Sequence, residues 1–101
     1  MASRLELQST LESILGSKNV YYQPPESTKM SYPAIRYSKT NIEINRANDS
    51  NYISKICYEI IVMDTKPDNP ALDKLLNLPY CTYNRYYKAD GLNHDVFTLY
   101  F

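Results

Sequence analysis

Tyr52-Ile53-Ser54-Lys55-Ile56-Cys57-Tyr58-Glu59-Ile60-Ile61-Val62-Met63-Asp64 is the longest run of strand-forming residues in the chain, with no Gly or Pro inside it. At period two, Tyr52, Ser54, Ile56, Tyr58, Ile60 and Val62 share one face, and this set is mostly apolar. Ile53, Lys55, Cys57, Glu59, Ile61 and Met63 share the other, where charge gives way to apolar residues after Glu59. This pattern predicts a half-buried antiparallel strand whose far end is covered on both faces. Its length predicts the central strand of a sheet.

Immediately upstream, Pro33 cannot donate to a ladder, so the preceding strand is expected to begin at about Ala34. Its apolar positions are odd at Ile35 and Tyr37 and even at Ile42 and Ile44, which predicts a bulge between Ser38 and Thr40. The polar segment Asn45–Asn51, with Asn48-Asp49-Ser50-Asn51 as its turn, would close a long hairpin onto the central strand. Further upstream, Ser3 and Glu6 fit a capping box. Leu7, Leu11, Ile14 and Leu15 then form the apolar stripe of a helix ending at Gly16 and covering one sheet face. Val20-Tyr21-Tyr22 reads as a short strand stopped by Gln23-Pro24-Pro25, and Pro24 to Tyr32 as an exposed loop.

Downstream, Asn69 and Pro70 predict the start of a second helix that buries Leu72, Leu75 and Leu76 and ends before Pro79. Cys81 to Tyr87 predicts a strand with Cys81, Tyr83, Arg85 and Tyr87 opposite Thr82, Asn84 and Tyr86. Asp90 to Asp95 reads as a turn, and Val96 to Phe101 as the last strand. The order predicts one α+β domain over residues 1–101. Its sheet is mainly antiparallel, contains a long β-hairpin, and packs against an N-terminal helix and a short second helix. A strand ending on Tyr100-Phe101 needs cover, from its own core or from a neighbouring subunit.

Composition narrows the function. With 101 residues the chain is the size of one domain. Leu, Ile, Val and Phe together lie only just above the roughly 20% level below which chains tend to disorder. Eleven Tyr residues, against two Phe and no Trp, supply the remaining apolar surface. A ring that is apolar at one end and polar at the other suits core edges and protein–protein contacts, although Tyr is also an ordinary strand former. Eleven basic and eleven acidic residues cancel, which leaves no net field for nucleic acid or an anionic membrane. No apolar run reaches the roughly 20 residues of a membrane span, and the N-terminus lacks a signal-peptide core, so a cytosolic origin is expected.

Chemistry-bearing residues are sparse. One His and two widely spaced Cys do not suit a zinc site, and Cys57 and Cys81 read as free thiols packed in strands. His94 reads as a turn or cap residue, although Asp95 beside it could orient an imidazole. Two glycines, Gly16 and Gly91, do not make a phosphate loop. Arg85 among Tyr83, Tyr86 and Tyr87 has the residue types of a single-strand stacking platform, but no second basic cluster accompanies it. The expectation is a chain that is not an enzyme and takes no cofactor and no metal.

Three segments carry a family resemblance: Leu78-Pro79-Tyr80-Cys81-Thr82-Tyr83, Tyr87-Lys88-Ala89-Asp90-Gly91-Leu92-Asn93-His94-Asp95, and Val96-Phe97-Thr98-Leu99-Tyr100-Phe101. Upstream, Tyr21-Tyr22-Gln23-Pro24-Pro25, Met30-Ser31-Tyr32-Pro33-Ala34-Ile35 and Tyr58-Glu59-Ile60-Ile61-Val62-Met63-Asp64 fit the same pattern. Over nearly its whole length the chain resembles the neck and tail proteins of long-tailed bacteriophages of Gram-positive bacteria, and most of all their tail-terminator (tail-completion) proteins. None of these segments is a catalytic signature.

The resemblance implies a homo-oligomeric ring, usually of six subunits, that caps the tail tube, stops its polymerisation and joins it to the head neck. The implied partners are other copies of the chain, the major tail tube protein and a head-completion or neck protein. DNA would pass only through the bore, and no membrane is involved. The implied location is the head–tail junction of the virion, and the host cytoplasm during assembly. On this reading Pro24, Pro25, Arg46, Asp49, Tyr86, Phe97, Tyr100 and Phe101 are the candidate ring or tube interface. The sheet edge carrying Val96 to Phe101 would lie at a contact, and the loops Pro24–Tyr32 and Asn45–Asn51 would reach neighbouring rings. A head-closure or neck adaptor of the same virion is the alternative within this class; a small nucleic-acid-binding protein is the alternative outside it.

Overall fold

A computed structural model describes residues 4–24, 29, 31–47 and 50–101, with backbone alone for 43–47 and 50–54. The elements are α1 (Arg4–Leu15), β1 (Val20–Tyr22), β2 (Ala34–Ala47), β3 (Ser50–Asp64), α2 (Ala71–Leu76), β4 (Cys81–Ala89) and β5 (Leu92–Tyr100). The strands form one sheet in the order β1-β2-β3-β5-β4. β1 runs parallel to β2, and the other pairings are antiparallel. This is the expected α+β architecture, with β3 at its centre.

Alternation along β3 sorts the core onto two faces. Tyr58, Ile60 and Val62 point to the face covered by the helices, where they join Leu7, Leu11, Ile35, Leu75, Phe97 and Leu99. Ile61 and Met63 point the other way and form a smaller cluster with Ala34 and Val96. The far end of β3 is therefore covered on both sides, as its composition predicts. Leu7 and Leu11 of α1 are fully buried, with Ile14 and Leu15 packed beside the main core. α1 stops at Gly16, whose φ of +75° lets its N–H and that of Ser17 both donate to the Glu12 carbonyl. The Ser3 cap expected at its start lies outside the described residues.

Tyr37 on β2 joins the helix layer to the sheet. It is fully buried, with its ring between Tyr22 of β1 (centroids 4.9 Å apart) and Tyr58 of β3 (5.9 Å). Its hydroxyl donates to Gln8 Oε1 and accepts from Arg4 Nη1 at 3.3 Å, both on α1. The Arg4 guanidinium also lies over the Tyr22 ring, 4.5 Å from its centroid. Burial pushes the Tyr37 and Tyr58 phenols up from their ordinary value, and Arg4 partly offsets this at Tyr37.

β5 pairs with β3 only from Cys57 to Asp64, and Phe101 continues the ladder with reciprocal backbone bonds to Ile56. Beyond that point, among the described residues, β2 and β3 pair only with each other, out to Ala47 opposite Ser50. They form a two-stranded arm of about 15–20 Å at roughly 3.3 Å per residue. The molecule accordingly measures 51 × 29 × 23 Å. Register slips by one residue at Thr40 and again at Ser54. The first is the predicted bulge, where the Thr40 hydroxyl donates to the Cys57 carbonyl at 3.2 Å.

Three local expectations change. Asn45–Ala47 and Ser50–Asn51 belong to strands and not to a loop, because each pairs across the hairpin despite its polarity; Asn48 and Asp49 lie outside the described residues. The last turn is Asp90-Gly91 alone, and β5 begins at Leu92. Both turn residues have positive φ (53° and 75°), the conformation of a tight hairpin loop, so no further residues are needed. In α2, Asn69 Oδ1 accepts from the Ala71 N–H at 2.8 Å and Pro70 is already helical, as expected. The short helix, however, buries Ala71 and Leu75 and leaves Leu76 47% exposed.

Replacing Tyr37 by Phe removes a buried hydroxyl and orphans its partners, and is expected to cost about 1–2 kcal/mol in denaturant unfolding. Tyr37→Ala adds a cavity and is expected to cost about 3–5 kcal/mol. Equal stability of Tyr37→Phe and the parent would show that the α1 contacts contribute nothing. Since the folded phenols of Tyr37 and Tyr58 are raised, the unfolded chain loses these protons first as pH climbs. Their contribution is complete below the ordinary tyrosine value of 10.0 and is lost as pH rises through the higher folded values. Tyrosinate absorbance should thus lag in the native protein relative to the denatured one, and the unfolding free energy should fall over the same alkaline window.

Candidate functional site

β4 is the outermost strand beyond β5, and residues 82–88 along it are all exposed. A bulge at Asn84 sets its geometry. Tyr83 pairs with Phe97 and Arg85 with Val96, so one residue is skipped and the alternation shifts. The expected grouping of Tyr83 with Arg85 and Tyr87 is therefore incorrect. Tyr83 and Tyr86 lie on the helix-side face, and Arg85 and Tyr87 on the opposite face.

Two buried polar residues of β5 anchor the helix-side pair. Tyr83 donates its hydroxyl to Asp95 Oδ1 at 2.8 Å, and its ring meets Phe97 edge-on at 5.2 Å. Tyr86 donates to Asn93 Oδ1. Asn93 in turn donates to the carbonyls of Asp64 (3.3 Å) and Thr65 (3.2 Å), which ties the β3–α2 connection to the sheet. Desolvation of its tip and the adjacent Asp95 carboxylate push the Tyr83 phenol up. Both rings are about half exposed while their hydroxyls are hydrogen-bonded to β5.

On the opposite face, Tyr87 stacks on His94 (4.6 Å between centroids, 11° between planes), and Arg85 lies 5.7 Å from the Tyr87 centroid. His94 is thus a strand residue and not a turn or cap, with Nδ1 3.1 Å from the Leu92 carbonyl. Asp95 points to the other side of the sheet and bonds Tyr83, so it does not orient the imidazole. Because the bulge also divides the β4 tyrosines between two faces, Arg85 and the three rings do not form one stacking platform. Among the described residues, no three His, Cys, Asp or Glu side chains converge as metal ligands. Cys57 is a buried free thiol, and Cys81 is half-buried with its thiol pushed up by burial.

A second surface lies at the root of the arm. Asn41, Lys55, Tyr80 and Tyr100 line a cleft of about 410 Å³, in which Lys55 Nζ sits 3.1 Å from the Tyr80 ring centroid. Tyr80 has a φ of +61° and is 66% exposed. The sequence pattern does not single out this pairing, because it depends on the β5 terminus lying beside β3.

The candidate interface residues are dispersed. Tyr86 and Tyr100 are exposed, on β4 and at the arm cleft respectively. Pro24 is half-buried just after β1, and Arg46 stands on the arm opposite Asn51. Pro25, Asp49 and the Arg46 side chain lie outside what is described. Phe97 is fully buried in the main core, so it is a packing residue and not an interface residue. Phe101 packs against the same core and bonds Ile56, so the chain's own core covers it. The strand carrying Val96 to Phe101 is interior, and the edge at this side of the sheet is β4. The chain matches no protein-family model and no curated protein.

These placements separate two neighbouring residues by their effect. Phe101→Ala should lower folding stability by about 1–3 kcal/mol through lost burial. Tyr100→Ala should cost less than half as much. Denaturant midpoints of the two variants check this, and equal midpoints would mean that Tyr100 is as structural as Phe101.

Proposed function

We propose that this chain is a structural virion protein, a tail terminator of a long-tailed phage. It would form a ring on the end of the tail tube, stop tube growth and present a surface to the neck of the head. The observation that carries this reading is the β2–β3 arm, which leaves the sheet after Ile56 with no further strand pairing on either outer edge among the described residues. An isolated two-stranded ribbon is marginal in water unless something packs on it. A ring of identical subunits provides such cover through head-to-tail contacts. The tyrosines of β4 and the exposed Tyr80 and Tyr100 offer further contact area of the kind enriched at interfaces. The likeness of the sequence to tail-terminator proteins supplies the biological setting.

The reading is tested by the mass of the pure protein, alone and mixed with tail tubes, together with electron microscopy of the tube ends. Density at one end of the tube only, and tubes that no longer elongate, are the expected results. A protein that ignores tubes and binds head connectors would instead be a neck adaptor. One that ignores both would overturn the assembly reading. A variant in which residues 43–55 are replaced by Asn-Gly, a tight hairpin turn, should still unfold cooperatively on heating and lose tube-end binding.

A further inference from the structure

We propose that β4 joins two copies of this chain edge to edge, with Arg85–Ala89 pairing antiparallel to the same stretch of the second copy about a two-fold axis at Tyr87. This goes beyond the terminator reading and does not depend on it. A two-fold contact is self-complementary, unlike the head-to-tail contacts that close a ring.

Three observations lead here. The first is the bare edge. β4 pairs only with β5, and among the described residues no other backbone hydrogen bond reaches Arg85–Ala89. The opposite edge of the sheet, β1, is a strand of 3 residues followed by Pro24. Natural sheets usually blunt a free edge with proline, a bulge, shortness or charged side chains such as lysine, so the placement of Arg85 and Lys88 decides whether this edge can pair. β4 carries a bulge at Asn84, but Arg85–Ala89 beyond it is in unbroken register with Val96–Leu92 and contains neither Gly nor Pro.

The second is self-complementarity. With the axis at Tyr87, each Tyr87 faces the other, each Lys88 faces the second copy's Tyr86, and each Arg85 faces the second copy's Ala89. No cation meets a cation, and each ammonium group meets an aromatic ring. An axis at Lys88 would oppose two lysines, and one at Tyr86 would draw the Asn84 bulge into the ladder. The Tyr87 register also keeps the helix layers of both copies on the same side of one continuous sheet.

The third is preorganisation. The Tyr86 ring is held through its hydroxyl by Asn93, and the Tyr87 ring by its stack on His94. Little side-chain freedom is left to lose on pairing. The shared edge is short, so the dimer is a weak one that forms and dissociates with concentration.

Sedimentation equilibrium over a concentration series, combined with cysteine cross-linking, tests the proposal on the full chain. The parent should show a monomer–dimer equilibrium. Tyr87→Lys, at an exposed position, sets two ammonium groups face to face and should weaken the dimer by about tenfold or more. In a Cys81→Ser background, Tyr87→Cys should oxidise to a disulfide-linked dimer about tenfold faster than Thr82→Cys, which lies before the bulge. Circular dichroism of each variant shows whether it is folded, and the cross-linking pair decides the matter if Tyr87→Lys is not. A parent that stays monomeric at the highest soluble concentration would overturn the proposal. So would a folded Tyr87→Lys variant that dimerises like the parent, or equal cross-linking at positions 82 and 87. Tube-end binding is read separately, so loss of the dimer with retained tube binding would remove this inference and leave the terminator reading intact.

Discussion

The hydroxyl of Tyr37 sits where the sheet and the helix layer must agree. A phenol buried without partners is costly, and here Gln8 and Arg4 of α1 supply both a donor and an acceptor. Because β1 and β3 hold the ring from either side, the same side chain sets the distance between three strands and the helix above them. A phenylalanine would fill the volume but would not orient α1. With Leu and Phe in short supply, a polar-tipped ring at the centre of the core gives the packing direction as well as mass.

The same arrangement recurs on the same face at the β4–β5 end of the sheet, with its polarity reversed. There the tyrosines stand at the surface and their partners, Asn93 and Asp95, are the buried members. Side chains that would usually mark a loop are tolerated on the core face of β5 because each receives a phenolic proton, and Asn93 also ties down two carbonyls. The result is a β4 surface on which the Tyr83 and Tyr86 rings are exposed while their hydroxyls are hydrogen-bonded to β5. Between these two regions, the long β2–β3 pair exceeds the support available from β5 and projects as an arm.

Much of the fold was legible in the sequence. The Tyr52–Asp64 pattern marked a central strand, the parity change between Tyr37 and Ile42 marked the bulge at Thr40, and Leu7 and Leu11 marked the buried stripe of α1. These readings succeeded because period and chain direction are local properties of adjacent residues. The candidate site was less legible. Leu92–Asp95 reads as a turn because Asn, His and Asp are common turn residues, and nothing nearby in sequence shows that Tyr83 and Tyr86 will satisfy them. The Asn84 bulge left no parity signal, since the residues around it are aromatic or polar on both sides. Phe97 and Phe101 looked like interface residues only because the position of β5 inside the sheet was unknown.

The sequence by itself determined the order of helices and strands and the approximate places of the chain reversals, though not the strand ends at Ala47, Ser50 and Leu92, and that tyrosine must do much of the work of a core. Each follows from propensity, periodicity or composition, which act over a few neighbouring residues. The tertiary structure alone decided the strand order β1-β2-β3-β5-β4, and with it which edge stays open and which apolar residues are enclosed. Strand order depends on pairings between residues far apart in the chain. Burial of both faces of β3 and hydrogen bonding of the buried polar side chains depend on those distant pairings and not on neighbouring residues.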